Sequence, residues 1–111
     1  MATFTFERSG EPTRQYFIVI YTPGSAWNAA ISPGEQLHFK THSRHLQTLR
    51  TENKITLGAR YADKGMIIIT GENEGEIRST IMSDSAVIDK IFTAEIYPYN
   101  VFYYGCLEKL K

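Results

Sequence analysis

Six consecutive aromatic and β-branched residues, Tyr16-Phe-Ile-Val-Ile-Tyr21, constrain this chain more than any other stretch. A run like this with no polar interruption reads as a buried strand, so the fold must supply a sheet and something to cover it. Thr22-Pro23-Gly24-Ser25 ends the run. The cover comes next in the sequence. Ser32-Pro33-Gly34-Glu35 carries an N-cap serine, a proline for the first helical position and the glutamate of a capping box. The spacing then predicts a helix over residues 33–53, with Asn53 as a left-handed stop.

At about 100° per residue, Phe39, His42, Leu46 and Leu49 fall within an arc of roughly 80°. An imidazole therefore sits in the middle of the helix's apolar face. All three histidines of the chain, His38, His42 and His45, belong to this predicted helix. Residues 55–61 and 66–70 read as two strands joined by the turn Ala62-Asp63-Lys64-Gly65. Residues 76–83 place Ile77 and Ile81 four apart, a second amphipathic helix. Asp84-Ser85 caps one further turn through Ile88, and residues 91–97 form a last strand stopped by Pro98.

The predicted order is strand, helix, strand, strand, helix, strand. That is an α+β chain on the ferredoxin-like βαββαβ plan, an antiparallel sheet with its helices on one face. The other face of such a sheet stays uncovered in a monomer, and a second copy is expected to bury it as a twofold homodimer. Residues 1–15 read as a loose arm with a short strand at 4–6. Residues 16–99 form the domain. Residues 100–111, rich in aromatics, form an extension that packs on the domain or its partner.

The bulk numbers narrow the function classes. At 111 residues the chain is one domain, and 42% hydrophobic residues give it a core. Twelve basic and twelve acidic residues cancel, leaving no net field for nucleic acid. The lone cysteine, Cys106, allows no internal disulfide and no cysteine-based zinc site. No apolar run approaches the ~20 residues that span a bilayer, and the first residues lack a signal-peptide core. The expectation is a soluble cytoplasmic protein acting on a small molecule, with no nucleic-acid or membrane partner. A metal site is not expected either: His38 and His42 could share an ion, but His38 and His45 lie about 10 Å apart along the helix axis.

The segments Tyr16-Phe-Ile-Val-Ile-Tyr-Thr-Pro-Gly-Ser-Ala-Trp27, His42-Ser-Arg-His-Leu-Gln-Thr-Leu49, Leu57-Gly58 with Asp63-Lys-Gly-Met66, Asp84, and Glu95-Ile-Tyr-Pro98 together resemble the YciI-like (YCII-related) family. The resemblance covers about residues 16–99. It implies a dimeric α+β barrel with a pocket between sheet and helices, and a His–Asp dyad made, by position, of His42 and Asp63. Most of the family has no assigned activity; a dehydrochlorinase acting on a chlorinated hydroxyquinol is among the known ones. This chain has Gly58-Ala59-Arg60 where relatives often read Gly-Pro, and Asp84-Ser85 where they often read Asp-Pro.

A histidine beside a carboxylate is the chemistry of a general base, the acid orienting the ring and setting its tautomer. The expected function is cofactor-free proton transfer, of lyase, isomerase or dehydrochlorinase type, with His42 and Asp63 catalytic. Trp27 as an aromatic wall, Arg60 as a cation at the pocket mouth and Asp84 make up the substrate-binding set. Turn chemistry accounts equally well for Asp63, and helix capping for Asp84, so which of the two partners His42 is open at this point. The alternatives are a non-catalytic small-molecule-binding module and, from other dimeric α+β barrels, a haem-binding or oxygenase protein.

Overall fold

The computed structural model describes residues 14–107, 109 and 110. Residues 1–13 of the arm, with its short strand at 4–6, lie outside the described residues, and Gln15, assigned to the arm, already belongs to the first strand. Among the described residues, the chain folds into a four-stranded antiparallel sheet and three α-helices. The strands are β1 (Gln15–Pro23), β2 (Ile55–Tyr61), β3 (Lys64–Gly71) and β4 (Phe92–Pro98), and the helices are α1 (Phe39–Thr51), α2 (Glu74–Met82) and α3 (Ser85–Ile88). Strand order is β2-β3-β1-β4, which puts the apolar β1 at the centre between β3 and β4. No helix among the described residues is long and apolar enough to cross a membrane.

Alternation along β1 divides its side chains between two cores. Phe17, Val19 and Tyr21 point to the helical side, where they meet Ile67 and Ile69 of β3, Ile96 of β4, and Leu49, Ile77, Ile81 and Val87 from the three helices. Tyr16 and Ile18 point the other way and pack with Ile68, Leu57 and Met66. Val101, Leu107 and Leu110 of the C-terminal segment lie against that second cluster. The face that the sequence assigned to a second copy is thus covered in part by the chain's own tail.

The long helix predicted for residues 33–53 is broken. The capping box of Ser32 and Glu35 forms, but on a single 3₁₀ turn at Pro33–Glu35, and α1 starts only at Phe39. The reason is Gln36, a buried residue whose side chain holds the preceding connector. Its Oε1 accepts from the Asn28 amide at 2.9 Å, and its Nε2 donates to the Asn28 carbonyl at 2.7 Å. His38 then turns through a left-handed conformation, φ 66°, before the helix begins. It therefore lies outside α1. Asn53 takes the left-handed stop expected of it, at φ 62°.

The hairpin is tighter than the sequence suggests. Tyr61 pairs with Lys64, so the loop is only Ala62-Asp63, and Lys64 and Gly65 already belong to β3. Ala62 supplies the positive φ, 52°, that a two-residue hairpin loop requires.

After β1 the chain is clamped at Gly24. Its amide donates to the Ile91 carbonyl at 2.8 Å, and Ala26 donates to the Lys90 carbonyl at 2.9 Å. A methyl group on Gly24 would sit 2.4 Å from that Lys90 oxygen, so only glycine permits this approach. The clamp brings Trp27 against Phe92 at the start of β4, ring centroids 5.6 Å apart.

Candidate functional site

Between α1 and the helical face of the sheet lies a cavity of about 810 Å³. Register explains why it is there. On that face Arg60 of β2 pairs with Gly65 of β3, and Gly65 pairs in turn with Tyr21 of β1. One row below, Gly58 pairs with Ile67. Glycines at 58 and 65 leave the β2–β3 end of the sheet bare where α1 passes over it. Trp27, Phe39 and Phe92 supply aromatic walls, and His42, Tyr21, Arg60 and Asp63 all contribute to the lining.

His42 stands on the helical wall, in the first turns of α1 where the apolar arc faces the sheet. Its ring meets Tyr21 edge-on at 5.1 Å and Phe92 at 4.8 Å between centroids. Its Nδ1 lies 2.5 Å from Asp84 Oδ2. The side chain of Asp84 is fully buried, whereas that of His42 keeps 11% of its surface exposed. Asp84 is also the N-cap of α3, its Oδ1 accepting from the Ala86 amide at 3.0 Å. One carboxylate thus caps one helix and orients a histidine on another.

Burial by itself pushes the Asp84 carboxyl up. The hydrogen bonds from His42 and the Ala86 amide, with the electrostatic attraction of His42 and His45, more than offset this and hold it below its usual value. An ionised Asp84 accepts, so His42 Nδ1 carries the proton and donates it. In the neutral ring Nε2 is then left as the lone-pair nitrogen. That is the arrangement of a general base: a fixed tautomer, a buried anion behind it and a cavity in front.

Asp63 is placed elsewhere. The resemblance set it beside His42, but the structure puts it at the hairpin tip on the cavity rim, its side chain 69% exposed and 3.5 Å from Lys64 Nζ. Asp84, assigned to substrate binding, is the carboxylate that touches His42, and it lies behind the imidazole. The physical reason is that a two-residue loop points its second side chain into solvent, whereas the cap of α3 is buried against α1. Trp27 and Arg60 are both on the cavity wall.

Three features escaped the sequence reading. Tyr21, only 3% exposed, has a buried hydroxyl without a hydrogen-bond partner among the described residues, and its phenol is pushed well up by burial and by the negative Asp84. Alternation from Phe17 and Val19 would have placed it on the helical face. His45 Nε2 is likewise buried and unpartnered among the described residues. His38 Nε2 lies 2.6 Å from Asp89 Oδ2, tying the start of α1 to the end of α3 across 51 positions that no local pattern links. Among the described residues no three His, Cys, Asp or Glu side chains gather as a metal site.

The unpartnered hydroxyl of Tyr21 carries a prediction. A buried donor left unsatisfied costs about 1–3 kcal/mol, so Tyr21→Phe is expected to leave stability unchanged or to raise it. A thermal melt checks this. A fall of several degrees would mean that the hydroxyl has a partner in solution. No family model, curated protein or solved structure matches this chain.

Proposed function

We propose that this protein is a small proton-transfer enzyme of YciI-like type, in which His42 is the base or acid and Asp84 orients it. One observation carries the reading: a histidine on the wall of a cavity large enough for an organic substrate, its inner nitrogen held by a buried, ionised carboxylate. The pair suits abstraction of a proton from a carbon next to a carbonyl or phenol, followed by isomerisation or by loss of a leaving group such as chloride. Asp63 takes a place at the cavity rim in this reading. The strand order β2-β3-β1-β4 supports a ferredoxin-like βαββαβ fold. With a single cysteine, the chain suits a reducing cytoplasm.

The test is a screen of small phenols, hydroxyquinols, chlorinated hydroxyquinols and enolisable ketones in D₂O. Deuterium uptake or halide release is followed by NMR and mass spectrometry. Catalysed exchange or elimination by the wild type is expected, together with its loss in His42→Ala. Binding without conversion, unchanged by His42→Ala, would overturn the reading in favour of a binding module.

A twofold homodimer belongs to the same proposal. Tyr61 and Tyr97, 45% and 49% exposed, lie on the two edge strands of the sheet face that the tail only partly covers. Light scattering is expected to give a mass of two chains, and a monomer at micromolar concentration would remove this part of the proposal.

A further inference from the structure

We propose that the cavity takes a flat organic anion, an aromatic or conjugated carboxylate, with its charged group on Arg60 and its ring lying over the glycine floor. The inference rests on the reading of His42 above only in taking the same cavity as the ligand site.

Register puts Arg60 on the same sheet face as Tyr21, two strands away, with Gly65 alone between them. Two strand spacings are roughly 10 Å, the span of one substituted ring between the guanidinium and the wall that holds Tyr21 and His42. Nothing lies within 4 Å of where a Gly65 side chain would begin, so that floor is open space. Trp27 and Phe92 offer ring faces and edges to a flat molecule.

The charge balance favours an anion. Among the described residues Arg60 pairs with no carboxylate, while the one acid at the rim, Asp63, is offset by its neighbour Lys64. The first turn of α1 adds to this. Phe39 and His42 both line the cavity there, while the carboxylates at that end, Asp84 and Asp89, are each engaged by a histidine, His42 and His38. A guanidinium binds a carboxylate through two parallel N–H donors, which also fixes the plane of the ligand.

Calorimetry with benzoate and 4-hydroxybenzoate, against the neutral benzamide and 4-hydroxybenzyl alcohol, tests the inference. The carboxylates are expected to bind about tenfold or more tightly than their neutral counterparts. Arg60→Gln is expected to erase that preference while leaving the weak neutral binding as it was. Gly65→Val, which fills the floor, is expected to abolish binding of all four with the circular dichroism spectrum unchanged. Equal binding of acids and neutral compounds, a preference that survives Arg60→Gln, or no carboxylate binding at all would each overturn it. The two readings fail separately. An Arg60-dependent preference in a protein that turns nothing over removes the proton-transfer role and keeps the anion site. Turnover restricted to neutral compounds does the reverse.

Discussion

Asp84→Ala is expected to destabilise the protein by about 3 kcal/mol, combining the loss of a helix cap with a buried imidazole left without its acceptor. For a domain of this size that corresponds to a melting point lower by more than about 10 °C. Asp84→Asn separates the two contributions. The amide oxygen can still accept from the Ala86 amide, so the cap of α3 survives, but the anion behind His42 is gone. Asn is therefore expected to cost less stability than Ala while losing nearly as much activity as His42→Ala. Urea midpoints with unchanged slopes would measure the first part. An Asn variant as unstable as the Ala variant would show that the charge, and not the cap, is what the fold needs.

The pH dependence follows from the same group. The folded-state value of Asp84 lies below its ordinary 3.8. The unfolded chain therefore binds a proton there before the native one does. The contribution to stability is fully present only well above 3.8 and is lost as the pH falls through the lower folded value. Wild type is expected to lose stability on acidification below about pH 4 more steeply than Asp84→Asn. Parallel acid-unfolding curves would remove Asp84 as the cause.

The second large effect is on activity. His42→Ala is expected to lower turnover of any compound the wild type converts by about 10²–10⁴, the usual weight of a general acid or base. Its cost in stability is smaller, about 1–3 kcal/mol, because Asp84 loses one donor but keeps the Ala86 amide. The separation matters, since a purely structural histidine would lose stability and activity together. Stopped-assay rates on protein shown folded by circular dichroism check it. Turnover within a few-fold of wild type would end the general-base role.

Much of the fold was legible because its signals are local. The run at residues 16–21 reads as a buried strand, and the structure places it between β3 and β4. The i, i+4 isoleucines of α2, the Asp84 cap of α3 and the left-handed Asn53 each follow from a few neighbouring side chains. The structure departs from the local pattern where a side chain bonds back to the segment before it, or where a residue takes an uncommon backbone conformation. The helix predicted from residue 33 fails because Gln36 bonds back to the connector, and the hairpin shortens because Ala62 accepts a positive φ usually left to glycine.

That His42 faces inward was readable from the sequence, since its place among Phe39, Leu46 and Leu49 is a matter of helical period. The sequence could not decide which carboxylate meets His42. Asp63 and Asp84 each have a sufficient local explanation, in a turn and in a cap, and neither explanation reports what lies across the fold. Only packing α1 against α3 brings residues 42 positions apart to 2.5 Å, leaving Asp63 at the solvent-facing tip of its hairpin. The cavity in front of His42 is tertiary in the same sense. Gly58, Gly65, Trp27 and Phe92 are scattered along the chain, and they form a site only because the register of β2, β3 and β1 lines up the glycines beneath α1.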